Sequence, residues 1–218
     1  MQYEFKTDLK QDEFDGFVKN HEYCNLLQSY NWAKVKSNWD HLYTGVYKDG
    51  TLVAVGLVLI KRLPLTFCMY YLPRGPIMDY KDKELVQYYF EQLKKVAKKD
   101  HCIFIKFDPA IHVNDYDSKS YNTDRYEDTN TYLDIFKSCK AKHHGYTMSI
   151  ADTVQPRFQS NVYACENVED ALPKHTKRLI KDANRRNVQI IHGQTELLDE
   201  FSRLVELTES RKGVALRE

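Results

Sequence analysis

An α/β fold, with a mixed sheet flanked by helices, is predicted by three features of this 218-residue chain. Three β-rich apolar runs between His41 and Leu72, separated by short turn signals, describe an antiparallel meander. A helical period follows from Asp82 to Lys99, and then a short apolar run, "CIFIKFDP". Helix followed by strand adds an α/β layer packed on the meander. With 42% apolar residues, the chain can bury a substantial core.

Taken in order, Asn25 to Trp39 places Leu26, Leu27, Tyr30 and Ala33 at roughly helical spacing, and Ser29 is the expected N-cap of a helix carrying Trp32. Lys34 and Lys36 cannot share a face of that helix, so at most one of them looks into a cleft. Asp49-Gly50 marks a tight hairpin between the first two β-rich runs. The third run, "TFCMYYL", leads into Pro73-Arg74-Gly75-Pro76. The helix from Asp82 to Lys99 carries Leu85, Tyr89, Leu93 and Val96, with acids early and lysines late, as the helix dipole prefers. "CIFIKFDP" reads as a short buried strand ending at Asp108-Pro109.

The polar stretch from His112 to Asn130 is long for a simple connector. A helical run from Tyr132 to His144, ended by Gly145, follows it. A second unit opens at Pro156 with the strand "PRFQSNVYA", a basic helix from about Val168 to Asn187, the strand "VQIIHG" and a last helix, "ELLDEFSRLVELTESRK", stopped by Gly213.

Composition narrows the functional classes. A net charge of +1 means that nucleic acid must be met by a local patch rather than by the whole surface. The N-terminus is charged from its fourth residue and no run of about 18 apolar residues occurs, so neither a signal peptide nor a membrane span is expected. A cytoplasmic location is the expectation. Cys24, Cys68, Cys102, Cys139 and Cys165 lack C-x-x-C spacing and read as buried thiols, and His143-His144 reads as a solvated helix end. No metal and no cofactor are expected.

Two stretches stand out chemically. In "YYLPRGPIMDY" the prolines hold Arg74 in few conformations while Gly75 supplies a permissive dihedral. Such a turn is either a stiff surface feature or a cation positioned for an anion. In the basic helix Lys174, His175, Lys177, Arg178, Lys181, Arg185 and Arg186 are opposed by Asp182 alone. A solvated helix and a nucleic-acid backbone site are both open readings.

"LQSYNWAKVKSNWDHLYTGVYKDGTLVAVGLVLIKRLPL" and "YYLPRGPIMDY", followed by "QPRFQSNVY", "LPKHTKRLIKDANRRNVQI" and "LTESRKG", resemble in their order the FemX/FemA/FemB (MurM-like) family. That resemblance implies two acetyltransferase-like domains, with residues 1–153 as the first and 154–218 as the N-terminal part of the second. It implies an aminoacyltransferase that takes an amino acid from aminoacyl-tRNA and adds it to the stem-peptide lysine, or the growing bridge, of a peptidoglycan precursor. That precursor is UDP-MurNAc-pentapeptide or its lipid-linked form, and the latter brings peripheral membrane contact.

Residue by residue, the resemblance matches Lys36 and Arg211 to the precursor-binding pair and Asp108 to a position proposed as general base. Thr208, three residues before Arg211, shares its helix face and can reach the same anionic group. Arg74 borders the precursor cleft in this reading, with an ion pair to an acid such as Asp79 as the alternative. Lys174, Lys177, Arg178, Lys181 and Arg185 become contacts for a tRNA acceptor arm. For Lys36 a solvated lysine, for Arg211 a helix-end cation and for Asp108 a turn-starting acid are the plain alternatives. Two rival classes stay open: a coenzyme A-dependent N-acyltransferase, and a truncated, non-catalytic binding module. The second unit is expected to leave Val188, Ile190, Leu197, Phe201 and Leu204 partly uncovered.

Overall fold

The computed structural model describes residues 2–116, 123–147, 149, 155–162 and 165–213. The chain divides into two compact units, Met1–Ser160 and Asn161–Glu218. The boundary expected between 153 and 154 falls outside the described residues.

In the first unit, β1 (Tyr3–Lys6), β2 (Asp40–Lys48), β3 (Thr51–Arg62), β4 (Cys68–Leu72) and β6 (Cys102–Phe107) lie side by side in that order, and β5 (Ile77–Met78) also pairs with β3. All neighbours are antiparallel except β4 and β6, which run parallel. The sheet is therefore mixed, as expected, and the meander is β2-β3-β4. Asp49 and Gly50 both take positive φ, 49° and 84°, so the hairpin twists with its strands. β3 is the central strand, and Ala54, Val55, Leu57, Val58, Leu59 and Ile60 are all buried along it.

Consecutive strand residues face opposite ways, and Tyr43 and Thr44 show what lies on each side. The Tyr43 ring sits 5.4 Å from Phe14 of α1 (Gln11–Lys19) and stacks at 3.6 Å on Tyr30. The Thr44 hydroxyl bonds instead to the Tyr89 hydroxyl of α3 (Lys83–Lys99) at 2.6 Å and donates to the Gly56 carbonyl. Helices thus cover both faces. A Cβ on Gly56 would stand 2.1 Å from the Tyr89 hydroxyl, so close helix-to-sheet approach requires glycine there. α3 buries Leu85, Val86, Tyr89, Phe90, Leu93 and Ala97, and the Asp82 side chain caps its N-terminus.

Several local expectations are corrected. Trp32 opens a four-residue helix, α2 (Trp32–Val35), whose N-cap is Asn31, while Ser29 ends a short 3-10 turn, Leu26–Gln28, capped by Asn25. β6 is an edge strand, with Ile103 and Phe104 exposed, because nothing described pairs with its far side. The polar stretch contains a small antiparallel strand pair, β7 (Asn114–Tyr116) with β8 (Thr123–Tyr126). The next helix, α4 (Thr129–Ser138), starts earlier, at an Asp128 cap, and stops well before Gly145. His143 and His144 consequently lie in an exposed, non-helical segment. Cys68 and Cys139 are buried, but Cys24 and Cys165 are exposed.

The second unit contains α5 (Val168–Ala171), α6 (Lys174–Arg185) and α7 (Leu198–Lys212). Pro173, which lacks an N–H and restricts Leu172, splits the expected single basic helix into α5 and α6. The described part of "PRFQSNVYA" and all of "VQIIHG" are irregular, since a strand needs a pairing partner and none is described there. α7 ends as expected on Gly213, in the left-handed conformation at φ 62°. Val188, Ile190, Leu197, Phe201 and Leu204 are exposed, as expected.

Candidate functional site

The C-terminal ends of two adjacent parallel strands form a natural crevice, because the chains leave the sheet there and backbone groups become free for ligands. β4 and β6 stop together at the Leu72–Phe107 pair. Asp108 follows one strand and the Pro73–Pro76 turn follows the other, so the two features converge. The Arg74 N–H donates to Asp108 Oδ1 at 2.8 Å, and the Tyr71 hydroxyl donates to Asp108 Oδ2 at 3.1 Å. Gln155 Nε2 lies 3.4 Å from the same Tyr71 hydroxyl, and Arg74 Nη2 donates to the Pro156 carbonyl at 2.6 Å.

The stiffness of the turn has a local cause. Arg74 takes φ 54°, which aims its N–H at the carboxylate. The fully buried Gln28 side chain holds the turn from beneath: its amide donates to the Pro73 carbonyl at 2.7 Å, and its carbonyl accepts the Leu57 N–H of β3 at 2.8 Å. A Cβ on Gly75 would stand 2.4 Å from the Gln28 side chain, so only glycine fits above it. Arg74 therefore presents its backbone to Asp108 and its guanidinium to a carbonyl. Asp79 is not its partner: that carboxylate accepts the Lys81 N–H instead.

Burial raises the Asp108 pKa, against the opposing pull of the Arg74 N–H, the Tyr71 hydroxyl and the nearby charges of Arg74 and Lys106. Burial and the Asp108 charge raise the Tyr71 pKa as well, so Tyr71 remains a neutral donor at neutral pH. The result is a carboxylate held by two donors, with lone pairs to spare and a strengthened hold on a proton.

At the opposite end of the same strands lies a second polar cluster. Arg62 bridges Asp40 at 2.7 Å and Asp100 at 2.6 Å, and the Tyr70 hydroxyl donates to Asp100 at 3.0 Å. Burial pushes Asp100 up, but the hydrogen bonds from Arg62, Tyr70 and Cys68 outweigh it and hold the carboxyl below its ordinary value. A shallow groove of about 730 Å³ runs past Trp39, His41, Arg62 and Lys99 here. Lys36 belongs to this end: its carbonyl accepts the Trp39 N–H at 2.9 Å. Half-buried at the close of α2, Lys36 has no ion-pair partner among the described residues.

The sequence-predicted residues are thus distributed. Arg74 and Asp108 are brought together, while Lys36 sits at the other end of the sheet. The remaining candidates belong to the second unit, considered by itself. On α7, Thr208 and Arg211 lie one turn apart, but the Thr208 hydroxyl donates to the Leu204 carbonyl at 2.8 Å, so only its acceptor lone pairs are available. On α6, at about 100° per residue, Lys174, Lys177, Arg178, Lys181 and Arg185 fall within an arc of about 100°, with Leu179, Ile180 and Ala183 opposite. Asp182 pairs with Arg186 rather than with this stripe, and Lys177 reaches the Asp170 carbonyl at 3.2 Å. Asp170 is therefore an opposing acid that sequence reasoning missed.

Sequence reasoning also missed Gln28 and Tyr71. Gln28 could have been found as the one long polar side chain in "NLLQSYNW", and Tyr71 as a polar-tipped residue at the end of a strand. Gln155 carries no such signal. Among the described residues no group of three or more His, Cys, Asp or Glu side chains is placed to hold a metal ion, and no helix is long and apolar enough to cross a membrane.

Comparison with known proteins follows the same ground. The family model described as the FemAB family matches residues 9–218. The chain is similar to the Lipid II:glycine glycyltransferase of Staphylococcus haemolyticus strain JCSC1435, at 28% identity over 98% of this chain and 49% of the relative. It has the same identity and coverage with the protein of that name from Staphylococcus aureus strain bovine RF122 / ET3-1. The chain therefore spans about half the length of these relatives. The crystal structure of FemX superposes with a TM-score of 0.78 at 26% identity, over 100% of this chain and 52% of that one.

Proposed function

The chain belongs to the FemAB family, and on that premise we propose that it serves aminoacyl transfer from aminoacyl-tRNA to the stem-peptide lysine, or growing bridge, of a peptidoglycan precursor in the bacterial cytoplasm. The names of its relatives support a transferase acting on such a precursor. The observation that carries the chemistry is the Asp108 carboxylate, caged by Tyr71 and the Arg74 backbone where β4 and β6 end.

An aminoacyl ester is already activated, so the protein has to align an amine, take its proton and favour the departing ribose oxygen. The amine nitrogen attacks the ester carbonyl carbon and the carbon–oxygen bond to the ribose breaks. The proton released by the amine passes through Asp108 to the ribose oxygen. A raised pKa suits that role, because a carboxylate that is too weak a base cannot hold the proton in transit. Tyr71 and the Arg74 N–H keep the carboxylate oriented throughout.

In this reading Lys36 and Arg211 each serve the precursor's diphosphate, Thr208 joins Arg211 only by turning its hydroxyl proton from the Leu204 carbonyl to the anion, and Arg74 borders the peptide. The α6 stripe of Lys174, Lys177, Arg178, Lys181 and Arg185 meets tRNA phosphates on one face. The competing coenzyme A reading needs free N–H groups for a pyrophosphate, and the turn after β4 has none to offer. Pro73 and Pro76 have no N–H, Arg74 gives its own to Asp108, and Gly75 donates to the Leu72 carbonyl at 3.3 Å. Transfer of a labelled amino acid from charged tRNA to precursor tests the proposal. Acetyl transfer from coenzyme A in its place would overturn it.

A further inference from the structure

The turn joining β3 to β4 is built against its own backbone. Leu65 and Thr66 take φ 61° and 65°, the left-handed pair that Asn-Gly adopts freely and that a branched or β-branched side chain resists. The Leu63 N–H closes the turn on the Phe67 carbonyl at 2.8 Å. Leu65 is 84% exposed and Phe67 42%. Polar residues would relieve the strain and suit water better, so strain and exposed apolar surface together mark a tip kept for a partner.

The surroundings say which partner. Lys61, Lys98, Lys99 and His101 are exposed nearby, and the Cys68 N–H, donating to the His101 carbonyl, ties the turn at 98–101 to the base of the tip. The acids at this end, Asp40 and Asp100, are both engaged by Arg62. An apolar tip ringed by lysines that have no ion-pair partner among the described residues matches the boundary between anionic headgroups and acyl chains.

We propose that Leu63–Phe67, with Lys61, Lys98 and Lys99, is a membrane-contact surface for anionic lipid. This rests on the transferase reading above. Lys36 lies at the same end of the sheet, near Trp39, whose ring is 5.9 Å from the Lys61 ammonium. Asp108 lies at the other end of β4, roughly 15 Å away by strand length. A precursor with its diphosphate at the bilayer surface beside Lys36 extends its peptide away from the lipid toward Asp108.

The test is co-sedimentation of the chain with vesicles of phosphatidylcholine, with and without phosphatidylglycerol. The double variant Leu65→Asn/Thr66→Gly keeps the turn, relieves its backbone and removes the tip, so its thermal midpoint should not fall. Binding to phosphatidylglycerol vesicles is expected to drop about tenfold in that variant. Lys61→Gln/Lys98→Gln/Lys99→Gln should also weaken it and remove its salt sensitivity. No vesicle binding by the parent chain, or equal binding by the double variant, overturns the proposal. A dimer that disappears in the double variant, without vesicle binding, overturns it in favour of a second copy. Transfer of a labelled amino acid from charged tRNA to precursor, offered in both its nucleotide-linked and lipid-linked forms, is measured on the same proteins. If neither protein transfers to either form while vesicles still distinguish them, the membrane surface stands and the transferase reading falls.

Discussion

Gln28 and Gly75 show how a turn rich in proline is held at the level of single residues. Replacing Gln28 with Ala leaves the Leu57 N–H and the Pro73 carbonyl without buried partners, and should cost about 1–3 kcal/mol of stability by chemical denaturation. Gly75→Ala should cost a similar amount, because its Cβ has to displace that amide. A stability loss in neither variant would mean that the turn is held by other interactions. Asp108 makes a distinct prediction through pH. Its folded pKa is raised, so the folded state binds this proton more tightly than the unfolded state does. Stability from this group is therefore present at low pH and declines as pH rises from the ordinary aspartate value through the folded one. Asp108→Asn removes that decline, and denaturation across this window should show the variant gaining on the parent as pH rises. A parallel pH dependence in both proteins would contradict a buried carboxylate. The role of Arg74 was half legible in the sequence: two prolines and a glycine announced rigidity, but nothing in the order of residues said that the N–H, not the guanidinium, meets the acid. That follows from β4 and β6 being neighbours, which is a tertiary fact.

At the scale of elements, hydrophobic period and caps made the meander, α3 and α7 readable, because each carries its own start and stop signals within its own residues. The failures have a common source in context. "VQIIHG" has the residues of a strand, but strand structure belongs to pairs and no partner is described beside it. β6 looked buried from its composition and lies instead at a sheet edge. In α6 the alignment of the cations on one face follows from their spacing alone, whereas the pairing of Lys177 with Asp170 depends on the break at Pro173, which sets Asp170 on a separate helix. If that face meets tRNA, log K should fall steeply with log salt. Lys177→Gln/Lys181→Gln/Arg185→Gln should shallow the slope by about 0.7–0.9 for each phosphate left without its cation. An unchanged slope would return the stripe to solvent, and a smaller change from Lys177 alone is expected because Asp170 already partners it.

For the molecule as a whole, the two units differ in how much they bury. β3 and α3 lie in a continuous core, while α5, α6 and α7 contain no buried residue. Native-state hydrogen exchange on this chain should therefore find the slowest amides in β3 and α3, and much faster exchange throughout α6 and α7. Equal protection in both units would show a stability that burial does not explain. The division of labour follows the same line: one unit carries the caged carboxylate and Lys36, the other carries the cationic stripe and Arg211. The claim on which the rest depends is that the crevice at the ends of β4 and β6 is where the amine loses its proton. Single-turnover transfer from charged tRNA to precursor, with precursor affinity measured on the same samples, addresses it directly. Asp108→Asn should lower the transfer rate about 100-fold or more while leaving precursor affinity unchanged. Transfer by the Asn variant at the parent's rate would contradict the account.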